Sequence, residues 1–538
     1  MFRKKWAIVL LAFFVLMVDS SYAKSEIKNN SVSDVRQSKN AASIWEDLWK
    51  WKFSIGLAIF LIVSTWSYAS MTFSKQAVML QKFPSVWKFP FIGSVPFLVH
   101  RPEALPFALS RAIETFGRRF VLWIGSKPYV MIVDAEGTQK ILSSTKYIEK
   151  GLDYKKVKWL LGEGLVTSNG HVWREDRKLL SPAFKYQSFD GFLAHFNNHS
   201  KILTEILRDK LTPGKGQDLH PFLCGATMDF ITESALGQSS NYQRDISGKF
   251  FTSVKMALGS FRTRVFKPWL NLPIIWDIFG FGKQDKICVE FFDDFLLQLI
   301  NKRKAILAQS EEEIEADGKT RPFIDSIIKT KSNKDITAHI LTIFGAGFET
   351  TASGMNHTLF LLAENEECQR KVHEELDAVL KTGGDITFAD LAELKYLEMC
   401  IKESLRVLPP VPMIMRHATE DIPLDNSQII PKGCEMVFII REIHRDPQYF
   451  PNPDQFDPNR FLPEACVNRN QYAFIPFSAG PRNCLGMKYA MIQMKTCLAH
   501  ILRNFRVSTT QKRKDMKIVY GMVLEAMPHI EVTISPRN

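Results

Sequence analysis

The chain has 538 residues, a formal net charge of +12 and 46% hydrophobic residues, enough apolar mass for a large core. Its lysines and arginines are scattered with no basic-aromatic module, which argues against a nucleic-acid partner and directs the charge toward membrane surfaces or an acidic protein. Eight cysteines without C-x-x-C pairs or dense spacing argue against a disulfide scaffold and a zinc site, so Cys224, Cys288, Cys368, Cys400, Cys434, Cys466 and Cys497 read as reduced thiols.

Residues 1–23 hold Arg3-Lys4-Lys5, an apolar run from Trp6 to Val18 and the small residues Ser21-Tyr22-Ala23, a signal-like or first hydrophobic segment. The run is apolar throughout rather than amphipathic and Arg-rich, which disfavours a mitochondrial transit peptide. Residues 24–52 read as a polar linker. The uncharged stretch 53–74 matches the roughly 20 residues needed to cross a bilayer. Because Lys75 and Lys82 follow it, it is the expected anchor, with residues 75–538 on the cytosolic side. The other reading makes the first run a second span or the sole anchor.

Beyond the anchor, Phe83-Pro84 and Phe89-Pro90-Phe91-Ile92-Gly93 form a Pro/Gly-containing stretch whose prolines fix φ. Phe120–Gly125 and Tyr129–Val133, around Ser126-Lys127-Pro128, predict a small β-hairpin. Helical periods then dominate. Trp173-Arg-Glu-Asp-Arg177 lies on one of them. The segment Phe250–Phe281, rich in phenylalanine and containing Trp269 and Trp276, by itself reads as core. Glu311-Glu312-Glu313-Ile-Glu315-Ala-Asp317-Gly318 reads as a solvated linker.

Three denser patterns follow. The run from Ile336 to Leu362 predicts a long buried helix, with Gly345-Ala346-Gly347-Phe348-Glu349-Thr350-Thr351 in its middle. Mid-helix glycines and threonines are poor helix formers, and a threonine hydroxyl can bond a backbone carbonyl and open the ladder locally. Glu403 and Arg406 are three apart and share a helix face, by itself the pattern of an ordinary surface pair. Finally, Phe477-Ser-Ala-Gly480-Pro-Arg482-Asn-Cys484-Leu-Gly486 puts one thiol in a Gly-containing loop beside an arginine. A metal-ligating thiolate needs a bend, backbone N–H donors and a positive neighbour. Gly480 and Gly486 are expected to permit the bend, and Phe477 to shield the sulfur.

The last stretch matches F-x-x-G-x-R-x-C-x-G at every fixed position, and the chain resembles the cytochrome P-450 haem-thiolate family. His444-Arg445-Asp446-Pro447, Phe450-Pro-Asn-Pro-Asp-Gln-Phe456 and Ile475–Gly480 make it most like the animal microsomal clan that includes fatty-acid omega-hydroxylases. The resemblance implies a mainly α fold with a small β region and an N-terminal membrane helix. It makes the Pro/Gly stretch Phe83–Gly93 a rigid hinge, and Phe250–Phe281, in place of core, a face that dips into lipid with Trp269 and Trp276 at the interface. It further implies haem b with Cys484 as the axial iron ligand, and haem-propionate contacts from Trp173, Arg177, Arg416 and Arg482. Phe477 and Gly486 complete the cofactor loop. Glu349 and Thr350 match an oxygen-activation motif and would relay protons to bound oxygen. Glu403, Arg406 and Arg460 would form a buried structural triad behind the cysteine loop.

The implied activity is monooxygenation of an apolar small molecule, a lipid or fatty acid, at the endoplasmic reticulum membrane. Electrons would come from NADPH-cytochrome P-450 reductase, with cytochrome b5 as an accessory donor, since the chain has no G-x-G-x-x-G fingerprint. Lys178 and Lys488, with Arg177, are candidate reductase contacts. Specificity would be set by residues 144–161, residues 250–281 and the turns after Arg406. One departure stands out. Many members of that clan carry a glutamate three residues before the motif acid, which esterifies a haem methyl; here Ala346 occupies that position, so the haem is expected not to be covalently attached. Two other functions fit a haem-thiolate chain: an isomerase or dehydratase of lipid hydroperoxides, and a non-catalytic haem or lipid carrier. The retained acid-threonine pair argues against both.

Overall fold

The computed structural model describes residues 34–98, 102–184, 189–238, 240–309, 322–381 and 383–537. The signal-like segment and the acidic stretch 311–318 lie outside these residues. The elements that position the site are α1 (Asp34–Phe73), β1 (Arg119–Ile124), β2 (Lys127–Ile132), α2 (Gly170–Leu180), α3 (Phe189–Lys210), α4 (His220–Leu236), α5 (Asn333–Glu364), α6 (Lys395–Val407), β3 (Ile414–His417), β4 (Glu435–Phe438) and α7 (Met487–Asn504).

Within α1, the 23 residues Trp51–Phe73 are long and apolar enough to cross a membrane. Trp51, Phe53, Phe60, Ile62, Trp66 and Phe73 expose their side chains, as an element made for lipid rather than for a core would. The helix backbone begins at Asp34, so the second half of the expected linker is helical. The hinge is tied down after it. Phe89 and Gly93 exchange backbone hydrogen bonds at 2.9 Å, and Gly93 has φ +62 with Trp123 O only 2.2 Å from where a Cβ would stand. Only glycine lets the hinge lie this close to β1.

The β region is one four-stranded sheet in the order β1-β2-β4-β3 and three two-stranded pairs. β1 and β2 form the hairpin, Arg119 opposite Ile132 and Ile124 opposite Lys127. Its turn falls at Gly125 (φ +60) and Ser126, two residues before Pro128, which is already inside β2. β2 then pairs parallel with β4.

Helices build the rest. α5 is continuous over 32 residues, capped by Ser332, whose side chain accepts from Asp335 N. The expected opening at its threonines does not occur. Thr350 Oγ1 donates back to Ala346 O, and the helix absorbs that bond without breaking. α4 is buried almost all round, the signature of a central helix, and packs along α5, where Thr227 Oγ1 donates to Phe348 O at 3.0 Å. α3 closes over α4 and α7.

In the aromatic segment, Trp276 corrects the sequence expectation. It is buried, donating from Nε1 to Asp285 at 2.9 Å and stacking on Phe281 at 4.5 Å between ring centroids. Its indole dipole found a carboxylate partner, which favours burial over an interface. The exposed apolar residues there are instead Leu272, Ile274, Ile278 and Phe279. The side chain of Trp269 lies outside the described set.

Glu403 and Arg406 face each other with no solvent exposure. Arg406 Nε and Nη2 donate to the two Glu403 oxygens at 2.7 and 2.8 Å. Its other donors reach His444 O, Pro453 O and Gln455 O, so all five N–H groups are used. Arg460 Nε stands 3.5 Å from Glu403 Oε1, too long and misdirected for a hydrogen bond, and its Nη2 donates to Asn452 O. Burial holds the Glu403 carboxyl above its ordinary range despite Arg406. Removing Arg406 alone therefore strands a buried carboxylate. Arg406→Met is expected to lose about 3–5 kcal/mol of unfolding free energy, measured by denaturant titration, with Glu403→Leu added to it restoring much of the loss. A single substitution costing under about 1 kcal/mol would show that the pair does not hold this region together.

Candidate active site

The cysteine loop runs from Ile475 into α7. Its bend is made at Gly480, φ +68, where a Cβ would meet Leu142 O at 1.7 Å; no other residue fits. Ser478 shares the left-handed region at φ 59. Gly486 differs from expectation. Its φ is −87 and ψ 14, which any residue adopts, and a Cβ there would meet nothing within 4 Å. Its contribution is open space and an N–H that bonds the Cys484 sulfur, not the bend.

Cys484 N donates to Phe477 O at 2.8 Å, closing the loop. Phe477 is thus held by its backbone, and its half-buried ring also lines a groove of about 480 Å³ with Phe474, Met487, Lys488 and Met491. The Cys484 side chain presents accessible surface, yet enough protein surrounds it that burial pushes its thiol up, with the Gly486 N–H and the Arg177 guanidinium pulling it back. The surface belongs to a recess rather than to the outer face. α7 starts three residues later, so its N-terminal dipole adds to the stabilisation of a thiolate.

Around the loop the chain buries positive charge. Arg416, on β3, is 2% exposed and its one side-chain hydrogen bond among the described residues goes to Met415 O. Arg482 donates to Ile148 O, Ser168 O and Asn169 Oδ1 and stacks over Trp173 at 4.1 Å. Arg177, from α2, donates to Asn483 O and Oδ1. Lys150 lies 4.4 Å over the Tyr154 ring. None of the four pairs with a carboxylate among the described residues. Burial, then Arg416, push Arg482 down to about 9, and burial, Arg416 and Arg482 push Lys150 well down. Buried cations without counter-charge are costly. The cluster therefore fits a dianionic group such as the two propionates of haem, and the recessed thiol fits its iron. Trp173, Arg177, Thr145, Ile148, Ser181 and Pro481 line a cleft of about 340 Å³ at this edge.

On α5, Gly345 and Ala346 are exposed in mid-helix although Phe344 and Phe348 on either side are buried. A Cβ at Gly345 would meet nothing within 4 Å, so open space lies against this patch. Thr350 is one turn further. Glu349 turns the other way, toward α4. Its Oε1 is 3.5 Å from His220 Nε2 and its Oε2 accepts from the Cys224 thiol at 3.5 Å. The structure thus gathers Trp173, Arg177, Arg416, Arg482 and the Cys484 loop at one locus and Glu403, Arg406 and Arg460 at another. It does not aim Glu349 along with Thr350.

Sequence reasoning missed Lys150, Tyr154, Asn169 and Asn483, which complete or brace the cationic cluster, and it missed His444. That ring, driven down to about 3 by burial and by Arg406, is neutral and accepts from Ile475 N at 2.8 Å, linking the buried pair to the cysteine loop. An H-R-D-P turn carries no mark of that role. Lys178 and Lys488 are both exposed.

Comparison with known proteins agrees with this geometry. The family described as Cytochrome P-450 matches residues 84–533. Human cytochrome P-450 4V2 is 32% identical over 519 residues, covering 92% of this chain and 98% of the relative. Cytochrome P-450 4c3 of Drosophila melanogaster is 31% identical over 86% of this chain and 91% of its own length, and cytochrome P-450 4c21 of Blattella germanica 32% over 86% and 94%. With the match spanning the hinge, the cationic cluster, the long helix and the thiolate loop, the chain belongs to the cytochrome P-450 family of haem-thiolate monooxygenases.

Proposed function

We propose that this protein is a membrane-anchored monooxygenase that places one oxygen atom from O2 into an apolar lipid or fatty acid, using NADPH-derived electrons from a separate reductase. The observation that carries the reading is the uncompensated cluster of Arg177, Arg416, Arg482 and Lys150 beside a recessed Cys484. Bound haem would supply the oxygen chemistry, with the second oxygen atom leaving as water. Cys484 would ligate its iron, and Arg416, Arg482, Arg177 and the Trp173 indole would hold its carboxylates. Ala346 offers no carboxylate for an ester, so the haem is held by ligation, charge and packing.

The remaining work belongs to the chain. Thr350 keeps a proton on Oγ1 at the edge of the exposed Gly345–Ala346 patch, and Glu349 meets half-buried His220, a route for protons from solvent. Exposed Lys178 and Lys488 border the clefts on the thiolate side and would receive NADPH-cytochrome P-450 reductase, or cytochrome b5, by charge. The exposed helix Trp51–Phe73 would anchor the body at the endoplasmic reticulum membrane, facing the cytosol. Apolar residues beyond Leu272 would lie against lipid.

In the reduced carbon-monoxide difference spectrum, wild type is expected to give a strongly red-shifted Soret band that Cys484→Ala loses, and acid organic solvent should extract its haem fully. A haem-loaded wild type without the band would remove the thiolate assignment, and haem retained on the polypeptide would refute non-covalent binding. Thr350→Ala is expected to lower product formed per NADPH by on the order of 10²-fold, with peroxide released instead; unchanged coupling would free Thr350 of a role. Reversing charge in Lys178→Glu with Lys488→Glu should slow reductase-driven turnover at low salt and flatten its salt dependence. If both stay as in wild type, the docking face lies elsewhere.

A further inference from the structure

α4 and α5 bring together three ligand types that the haem site does not use as ligands. His220 and Cys224 are four residues apart near the start of α4 and therefore share a face. Glu349 meets that face from α5. The Cys224 sulfur is 3.7 Å from His220 Nε2 and 3.5 Å from Glu349 Oε2, and His220 Nε2 is 3.5 Å from Glu349 Oε1. All three ligand atoms fall within 4.8 Å of one another.

Those separations have a physical meaning. Zinc takes sulfur near 2.3 Å and imidazole nitrogen or carboxylate oxygen near 2.0–2.2 Å, tetrahedrally, so its ligand atoms stand about 3.3–3.7 Å apart. The sulfur and the imidazole nitrogen already stand at such a separation, and Glu349 approaches them with different oxygens, Oε2 toward the sulfur and Oε1 toward the imidazole, so a small turn of its carboxylate completes one face of the tetrahedron. A sulfur, an imidazole and a carboxylate together favour zinc over magnesium or calcium, which take oxygen alone. Ser353 Oγ, 3.2 Å from His220 Nε2, is one candidate for the fourth position; water is the other. Asp218 and Lys255 also act on Cys224, with opposite signs. A search for C-x-x-C pairs cannot find such a set, because only two of the ligands are close in sequence.

We propose that His220, Cys224 and Glu349 form a zinc(II) site set between α4 and α5. Binding places the ion on the three side chains and releases the thiol proton to solvent. The site itself is independent of the proposed function. Its consequence rests on that reading: an occupied site would hold the Glu349 carboxylate on the metal and withdraw it from proton delivery, making zinc an inhibitor.

The experiment uses the purified full-length, haem-loaded protein and zinc chloride in competition with a chromophoric zinc chelator, followed by metal analysis after gel filtration. One zinc per haem is expected, with affinity falling at least 100-fold in Cys224→Ser and in His220→Gln, since even outer-shell changes cost about 10–100-fold. Zinc should also protect Cys224 from alkylation, read by mass spectrometry. Folding of each variant is checked by its reduced carbon-monoxide band. Equal zinc binding by wild type and both variants, or unprotected Cys224 at saturating zinc, would overturn the site. NADPH-driven turnover with and without zinc is read separately. Binding that passes these tests while leaving turnover unchanged would count against the relay role of Glu349 and against zinc as an inhibitor, not against the site.

Discussion

Arg406 is the constraint on which the catalytic half depends. A guanidinium with no solvent exposure can persist only if each N–H has an acceptor, and the chain meets this by drawing three separate backbone carbonyls, from His444, Pro453 and Gln455, onto one side chain. The segment 444–457 therefore cannot drift relative to α6. Asp457 N on Glu403 Oε1 at 2.9 Å ties its far end to the same pair. From there order passes outward. The neutral His444 ring accepts from Ile475 N, Ile475 O accepts from Ser478 N, and Phe477 O accepts from Cys484 N. The thiol's position is thus fixed by hydrogen bonds traceable to one buried ion pair. The pair need add little net stability to be worth its burial, since what it supplies is a unique arrangement of irregular chain.

The second constraint is a charge imbalance left for a ligand to resolve. Arg416 and Arg482 are buried and Arg177 and Lys150 half-buried, and gathering four cations with no paired carboxylate among the described residues carries an electrostatic cost. A dianionic cofactor edge would remove that penalty, linking cofactor binding to folding, so that the loaded state would gain stability with affinity. On the proposed function, haem would be selected by two features of different chemistry, the cations at its acid edge and the recessed thiolate at its metal.

How much of this was legible in the sequence depends on the range of the interaction. The cysteine loop was readable because Gly480, Arg482 and Cys484 act within a few residues, and the requirement at Gly480 is steric and local. The long helix was readable from its apolar run, and the hairpin from its β-branched and aromatic content. The continuity of α5 was not, because a threonine back-bond costs less than the packing of α4 along that helix supplies. For Trp276 the sequence left core and interface both open, and Asp285, which offers its N–H a buried acceptor, decides for the core. Lys150 carried no signal, and His444 served only to place the family, with nothing to mark its hydrogen bond to the cysteine loop. Their roles arise only when β3 and the segment after α6 fold back onto them, and a single sequence does not display that.

The direction of Glu349 shows how far motif and geometry can diverge. The motif pairs it with Thr350, but residues adjacent in a helix point about 100° apart, and here that angle sends Thr350 toward Ala346 and Glu349 into α4. The orientation is not incidental. Thr227 bonds the Phe348 carbonyl at 3.0 Å, pinning α4 to α5 at the residue before Glu349, and Gly347 leaves just the room that Ile231 of α4 fills, since a Cβ there would stand 3.2 Å from its side chain. Close contact of the two helices therefore makes α4 the neighbour of the acid, with His220 and Cys224 both 3.5 Å from its carboxylate. The acid thus shares its surroundings with His220 and Cys224, and a proton or metal ion held at Glu349 is held against that face of α4.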